Sequence, residues 1–290
     1  MSARRASALV ALSACCFGSI SILTVVGTRT GASLTTLLFW RYFPAAAVLA
    51  LVAGPARFVS LPARRTLPAL VVGGVGQALV GGLTLSALRY VTAATLAFLF
   101  YTYPAWIALL AVLRGTERVD RRRAAALALS FAGIVLMVGA PQRAQIAWPG
   151  VLLGLGGALT YALYVPFLHR LEAGTSPVVA ATFVTAGAAV VFLVVASLDR
   201  TLTARLAPAA WGAAAGLALV CTVLAFVVFL RGLATLGPVR AAIVSTVEPF
   251  WTAALGAAAL DQPLTAGTLA GGALVAAAVL VLHTGGRERR

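Results

Sequence analysis

Ten apolar runs, each about as long as a bilayer's hydrocarbon core is thick, follow one another along the 290 residues with only short polar or arginine-bearing stretches between them. An apolar helix needs about 20 residues to cross that core. The runs lie roughly at 6–27, 33–53, 67–87, 92–113, 124–140, 148–168, 177–197, 208–230, 238–260 and 265–283. They take up most of the chain and leave no room for a separate water-soluble domain. Hydrophobic residues make up 61% of the chain and charged residues only 10%, far below the quarter or so of a soluble domain. The runs are too long and too uniformly apolar for barrel strands, which alternate in polarity, and a segment in lipid must satisfy its own backbone. The expected class is therefore an all-α membrane protein of ten transmembrane helices.

The formal charge of +15 does not point to nucleic acid. The cations, all arginine, sit in short clusters between apolar runs, such as Arg64-Arg65 and Arg121-Arg122-Arg123, as in the cytoplasmic loops of membrane proteins. With the N-terminus inside, sixteen arginines fall on the cytoplasmic side: 4, 5, 57, 64, 65, 114, 118, 121, 122, 123, 170, 231, 240, 287, 289 and 290. Five fall outside (29, 89, 143, 200 and 205), and Arg41 lies within a span. This asymmetry places both termini in the cytoplasm of a cell with this protein in its inner membrane. The first run, behind Arg4-Arg5, is too long for a secretory leader and reads as an uncleaved helix. Cys15, Cys16 and Cys221 all lie in apolar runs and suggest no disulfide framework.

The chain also repeats itself. Ala93-Ala94-Thr95-Leu96 leads to Tyr103-Pro104, an apolar stretch and then Glu117; Ala241-Ala242-Ile243-Val244 leads to Glu248-Pro249, an apolar stretch and then Asp261. Pro104 and Pro249 are 145 positions apart, half the chain. Residues 1–145 and 146–290 are therefore expected to be two five-helix units. An odd helix number inverts the second against the first, a transporter plan that sets the binding site near the midplane between the halves.

These same residues resemble the EamA family of the drug/metabolite transporter superfamily. Cys16-Phe17-Gly18-Ser19 is similar to that family's opening "WGS" helix, Arg41 to its recurrent arginine, and the stretch from Ala87 to Ala94 to its junction of the third and fourth helices. Pro104 through Glu117 resembles the close of the repeat, the stretch from Ala158 to Tyr164 the opening of the second, and Glu248-Pro249 with Asp261-Gln262-Pro263-Leu264 its "EP…GEPL". Phe17 stands where tryptophan is usual, Asp261 where glutamate is, and the last interval is one residue short. The resemblance implies two inverted five-helix halves and the export of amino acids or related metabolites.

Glu248 is the one acidic residue deep in a span, about ten residues from either end of its helix. An ionisable group at that depth is expensive and by default functional. It serves either to carry a coupling proton or to meet a substrate ammonium; the structural alternative is a pair with Arg41 or a protonated carboxyl bonded to a carbonyl. Arg41 has the planar donor fork that suits a substrate carboxylate, against a snorkelling or neutralising role. Ser245, Glu248, Trp251 and Thr252 fall on one helix face. Phe98, Tyr101, Tyr103, Tyr161 and Tyr164 either line a midplane cavity or belong to interfacial belts. Gln77 either bonds substrate or ties helices together. Pro104 and Pro249 are expected to kink their helices as gates, and the Gly150/Gly154, Gly212/Gly216 and Gly267/Gly271 pairs to allow close packing.

The sequence has no H-E-x-x-H, G-x-S-x-G or P-loop and no pair of midplane carboxylates, which argues against an intramembrane hydrolase and an ATP-driven pump. No metal site, cofactor or nucleic-acid partner is expected. The partners are the lipid bilayer, a small-molecule substrate and, on the coupling reading, protons. The reading is a secondary transporter working by alternating access, with a channel-like or multidrug permease without ion coupling as the alternative.

Overall fold

The computed structural model describes residues 1–54, 58, 63–115, 121–139, 147–172 and 176–284. Glu117 and the loop-assigned Arg57, Arg118, Arg143, Arg287, Arg289 and Arg290 lie outside the described residues. The described chain is helical, with no strand. Its segments in order are α1 (Ala3–Arg29), α2 (Leu34–Ala53), α3 (Thr66–Arg89), α4 (Ala93–Leu113), α5 (Arg121–Gly139), α6 (Trp148–Glu172), α7 (Pro177–Leu198), α8 (Pro208–Gly237), α9 (Ile243–Leu260) and α10 (Ala266–Thr284). Among the described residues, seven helices (α1 to α4 and α7 to α9) are long and apolar enough to cross a membrane, and shorter apolar helices cover Ala124–Leu136 in α5 and Ala266–Val281 in α10.

Local chemistry explains where the helices start and stop. Ser33, Thr92 and Thr265 use their hydroxyls to accept the backbone N–H three residues on, the usual relief for the orphan donors of a first turn. Pro177 and Pro208 open α7 and α8 in the first turn, where proline's missing N–H costs nothing. Gly54 ends α2 at φ 85°, and Asp261 ends α9 in the left-handed region at φ 53°.

The packing is that of a protein in lipid. Large apolar side chains such as Leu51, Phe131, Leu152 and Leu198 point outward, while many alanines and threonines are buried alongside larger core residues such as Leu37, Tyr42 and Phe98. Small residues let helix backbones approach where lipid supplies no hydrophobic drive for association. The tightest approach joins α3 and α7: a Cβ on Gly187 would run into the carbonyl of Leu70, and one on Gly74 into the backbone of Gly187. Buried threonines stay satisfied by bonding back along their own helices, Thr24 to the Ile20 carbonyl, Thr182 to Val178 and Thr185 to Ala181.

The helix contacts follow a pattern. α2 packs on α7, α4 on α9 and α5 on α10; α1 packs on α8 and α9; α6 packs on α3 and α4; and α3 on α7 as α8 on α2. Advancing every helix number by five, counting on from α10 to α1, turns each of these contacts into another of the set. The cavity lies where α1, α2, α3, α4, α6, α7, α8 and α9 meet.

Candidate functional site

The two helices that carry the repeated proline are each broken at the same place. α4 divides into Ala93–Phe100 and Tyr103–Leu113, and α9 divides at Thr246 before Val247–Leu260. In both, the break precedes the proline, which then occupies the first turn of the second piece. The interruptions fall at Tyr101-Thr102 and at Thr246, in the turn ahead of Pro104 and Pro249 and within the spans Ala93–Leu113 and Ile243–Leu260, where a proline frees a carbonyl of the preceding turn. Glu248 accordingly stands in the first turn of the Val247–Leu260 helix, a position that suits an acidic side chain.

The two breaks are tied to each other. The Tyr101 hydroxyl donates to Glu248 Oε2 at 2.8 Å and lies 2.7 Å from the Ser245 carbonyl oxygen. A phenol has one proton, so both acceptors draw on it and Tyr101 joins α4 to the interrupted turn of α9. Below Glu248, Thr252 donates to the Gly18 carbonyl at 2.8 Å. A Cβ on Gly18 would meet the Glu248 carbonyl and the Thr252 hydroxyl, so glycine allows α1 to lie against this turn.

Around these groups opens a cavity of about 390 Å³, within the usual size of a small-molecule site. Tyr103, Tyr161 and Phe100 form one wall, with Tyr103 and Tyr161 edge to face at 4.9 Å and Phe100 at 5.3 Å from Tyr161. Phe226 and Phe229 of α8 also line it. Arg41 lies on the lining too, buried to 6% exposure. Its Nε donates to Thr222 Oγ1 at 3.1 Å, and its guanidinium carbon stands 4.8 Å from the centre of the Tyr42 ring. Arg41 therefore does not pair with Glu248. Gln77 donates through Nε2 to the Tyr42 hydroxyl at 3.1 Å. The site thus carries a carboxylate held by a tyrosine, an arginine whose side-chain partner is a neutral threonine, and aromatic walls.

Of the residues singled out from sequence, the cavity brings together Arg41, Gln77, Tyr101, Tyr103, Tyr161, Ser245 and Glu248. Three stand elsewhere. Phe98, fully buried, packs against Gly272 and Phe250 in the contact of α4 with α9 and α10. Tyr164 turns its hydroxyl to the Gly73 carbonyl at 2.9 Å, its ring resting on Gly76. Trp251, 39% exposed, donates to Ser19 Oγ at 3.2 Å from the outer side of α9. Trp251 is a helical neighbour of Glu248 and Thr252, but its indole lies against Gly18 of α1 and is not on the cavity lining. Sequence reasoning missed Tyr42, Phe100, Thr222, Phe226 and Phe229, all on the lining. Tyr42 is adjacent to Arg41 and lies within reach of a cation–π argument; Thr222 carries no signal, since its role depends on an irregular helix.

Two stretches of the chain, residues 4–139 and 148–284, match the EamA-like transporter family. The chain belongs to that family. Membership of the EamA-like transporter family implies a multi-pass membrane protein that transports small metabolites, not an enzyme. A relative from Archaeoglobus fulgidus, described as an uncharacterized transporter, is 28% identical over 282 residues, 96% of each chain. A solved structure titled only as the crystal structure of a protein superposes with a TM-score of 0.66 at 19% identity, over 96% of both chains. That likeness concerns the fold.

Proposed function

We propose that this EamA-like protein is a secondary transporter of the inner membrane that moves amino acids or similar small amphipathic metabolites by exposing its central cavity alternately to the two sides. The carrying observation is the cavity itself, with Glu248 clasped by Tyr101 on its wall beside apolar and aromatic surface. Substrates with an ammonium group and an apolar body match such a lining. Glu248 either meets that ammonium or carries a coupling proton. The architecture proposed is ten membrane helices in two inverted five-helix halves, residues 1–145 and 146–290, with both termini cytoplasmic. Three things support it: the family matches the chain twice, the helix contacts map onto themselves when the halves are exchanged, and arginines crowd one set of loops.

The test is uptake by proteoliposomes of purified protein, screened across the amino acids at two pH gradients, with Glu248→Gln alongside. Saturable uptake with exchange between external and internal substrate supports a carrier. Rapid non-saturating conductance would establish the channel-like alternative. Wild-type behaviour of Glu248→Gln, in rate and in pH response, would remove Glu248 from the mechanism.

A further inference from the structure

Arg41 is held by one atom and left open at two. The residue facing it, Thr222, belongs to a π-helical stretch, Gly216–Leu224, inside α8. The Thr222 hydroxyl lies 2.8 Å from the Leu217 carbonyl oxygen, five residues back. Threonines in regular helices reach back three or four residues, as Thr24, Thr182 and Thr185 do here; the longer step comes with the wider turn. A hydroxyl has one proton and two lone pairs. With the proton given to Leu217, Thr222 presents Arg41 with an acceptor, and Nε is the atom that takes it. The Tyr42 ring backs the guanidinium, and Gln77 holds the Tyr42 hydroxyl.

The consequence lies at the other end of the guanidinium. Its two terminal amino groups make no hydrogen bond among the described residues, yet they are not sealed, since among those residues Ser13 Oγ is the one buried side-chain polar atom without a partner. Arg41 is one of the residues that line the cavity. A buried cation without a counter-ion is costly, and a planar pair of N–H forks fits a carboxylate bidentately.

We propose that Thr222, through the π-helical register of α8, is a positioning residue that aims the terminal amino groups of Arg41 at the carboxylate of the transported metabolite, making this end of the cavity its anion subsite. The inference rests on reading the cavity as the substrate site and adds to it which end of the substrate goes where.

Its test is the thermal unfolding of the full chain in detergent, titrated with benzoate and with benzamide, which share a ring and differ in the carboxylate. A ligand bound only by the folded state raises the unfolding temperature in proportion to its saturation. Benzoate is expected to stabilise the wild type at a concentration at least about tenfold below benzamide, and Arg41→Gln to abolish the difference. Thr222→Val is expected to raise the benzoate half-saturation about tenfold, and Thr222→Ser, which keeps the hydroxyl, to restore it. Thr222→Ala serves in the same role if the valine variant does not elute as folded protein. Equal stabilisation by the two probes, no response to benzoate in the wild type, or a wild-type benzoate response in the valine or alanine variant would overturn the proposal. No transport enters this readout, so its failure leaves saturable uptake standing, while absence of uptake alongside benzoate binding would sink the transport reading instead.

Discussion

At the scale of single residues, the Tyr101–Glu248 contact makes the clearest demands. Tyr101→Phe removes the one proton that reaches both Glu248 Oε2 and the Ser245 carbonyl while keeping the ring against Tyr103. A hydrogen bond to a charged group contributes about 1.5–3 kcal/mol, so the phenylalanine variant is expected to transport at least about tenfold more slowly, measured as initial uptake by proteoliposomes. Glu248→Gln keeps the shape of the side chain but cannot change charge. Where Glu248 carries the coupling proton, an imposed pH gradient is expected to drive wild-type uptake and to leave that of the glutamine variant unchanged; a glutamine variant driven as the wild type is would show that another group carries the proton. Glu248 and Arg41 are legible in the sequence because charge within an apolar run is rare. Their separation is not, since opposite charges in one membrane invite pairing and only the fold shows Arg41 turned to Thr222.

At the scale of helices, what the sequence hides is irregularity. Apolar length locates the helices observed, seven of which are long and apolar enough to cross a membrane among the described residues, with the end of α8 and the start of α9 five to seven residues off, because the bilayer sets that length. Proline marks α4 and α9 as interrupted, yet the interruptions sit ahead of Pro104 and Pro249, where helical N–H groups are in any case unpaired. Pro104→Ala is therefore expected to change the unfolding temperature by no more than a degree or two. Gly187→Val is expected to cost about 1–3 kcal/mol by overpacking, seen as a melt several degrees lower, because its side chain would enter the backbone of α3 at Leu70. An unchanged melt for the valine variant would mean that α3 and α7 are not pressed together as described. The π-helical turns at Ala69–Gly73 and Gly216–Leu224 have no sequence mark: they occupy the third helix of each half, and their apolar residues fit an α-helix equally well. Tyr164 caps a carbonyl at the end of one, Gly73, and Thr222 bonds a carbonyl within the other, Leu217.

For the whole molecule, exchanging the halves preserves the helix contacts, yet the site at their junction is not symmetric. Position 248 is a glutamate and its counterpart 145 residues earlier, Tyr103, is an aromatic wall residue. Inversion of the halves is open to a direct check. With both termini inside, alkaline phosphatase fused after Arg200 is expected to be active and one fused after Arg290 inactive, with green fluorescent protein giving the reverse; two active phosphatase fusions would dismiss the topology. Sequence by itself determined the solvent and the building blocks, apolar helices long enough to span, with one carboxylate and one arginine carried into them. Those follow from local quantities, the length of an apolar run and the cost of burying a charge. Tertiary structure alone decided that Phe98, Tyr164 and Trp251 leave the cavity while Tyr42 and Thr222 enter it, because the rotation of a helix about its axis is set by which small residues of its neighbours it packs on, and a helix apolar on every side does not record that choice.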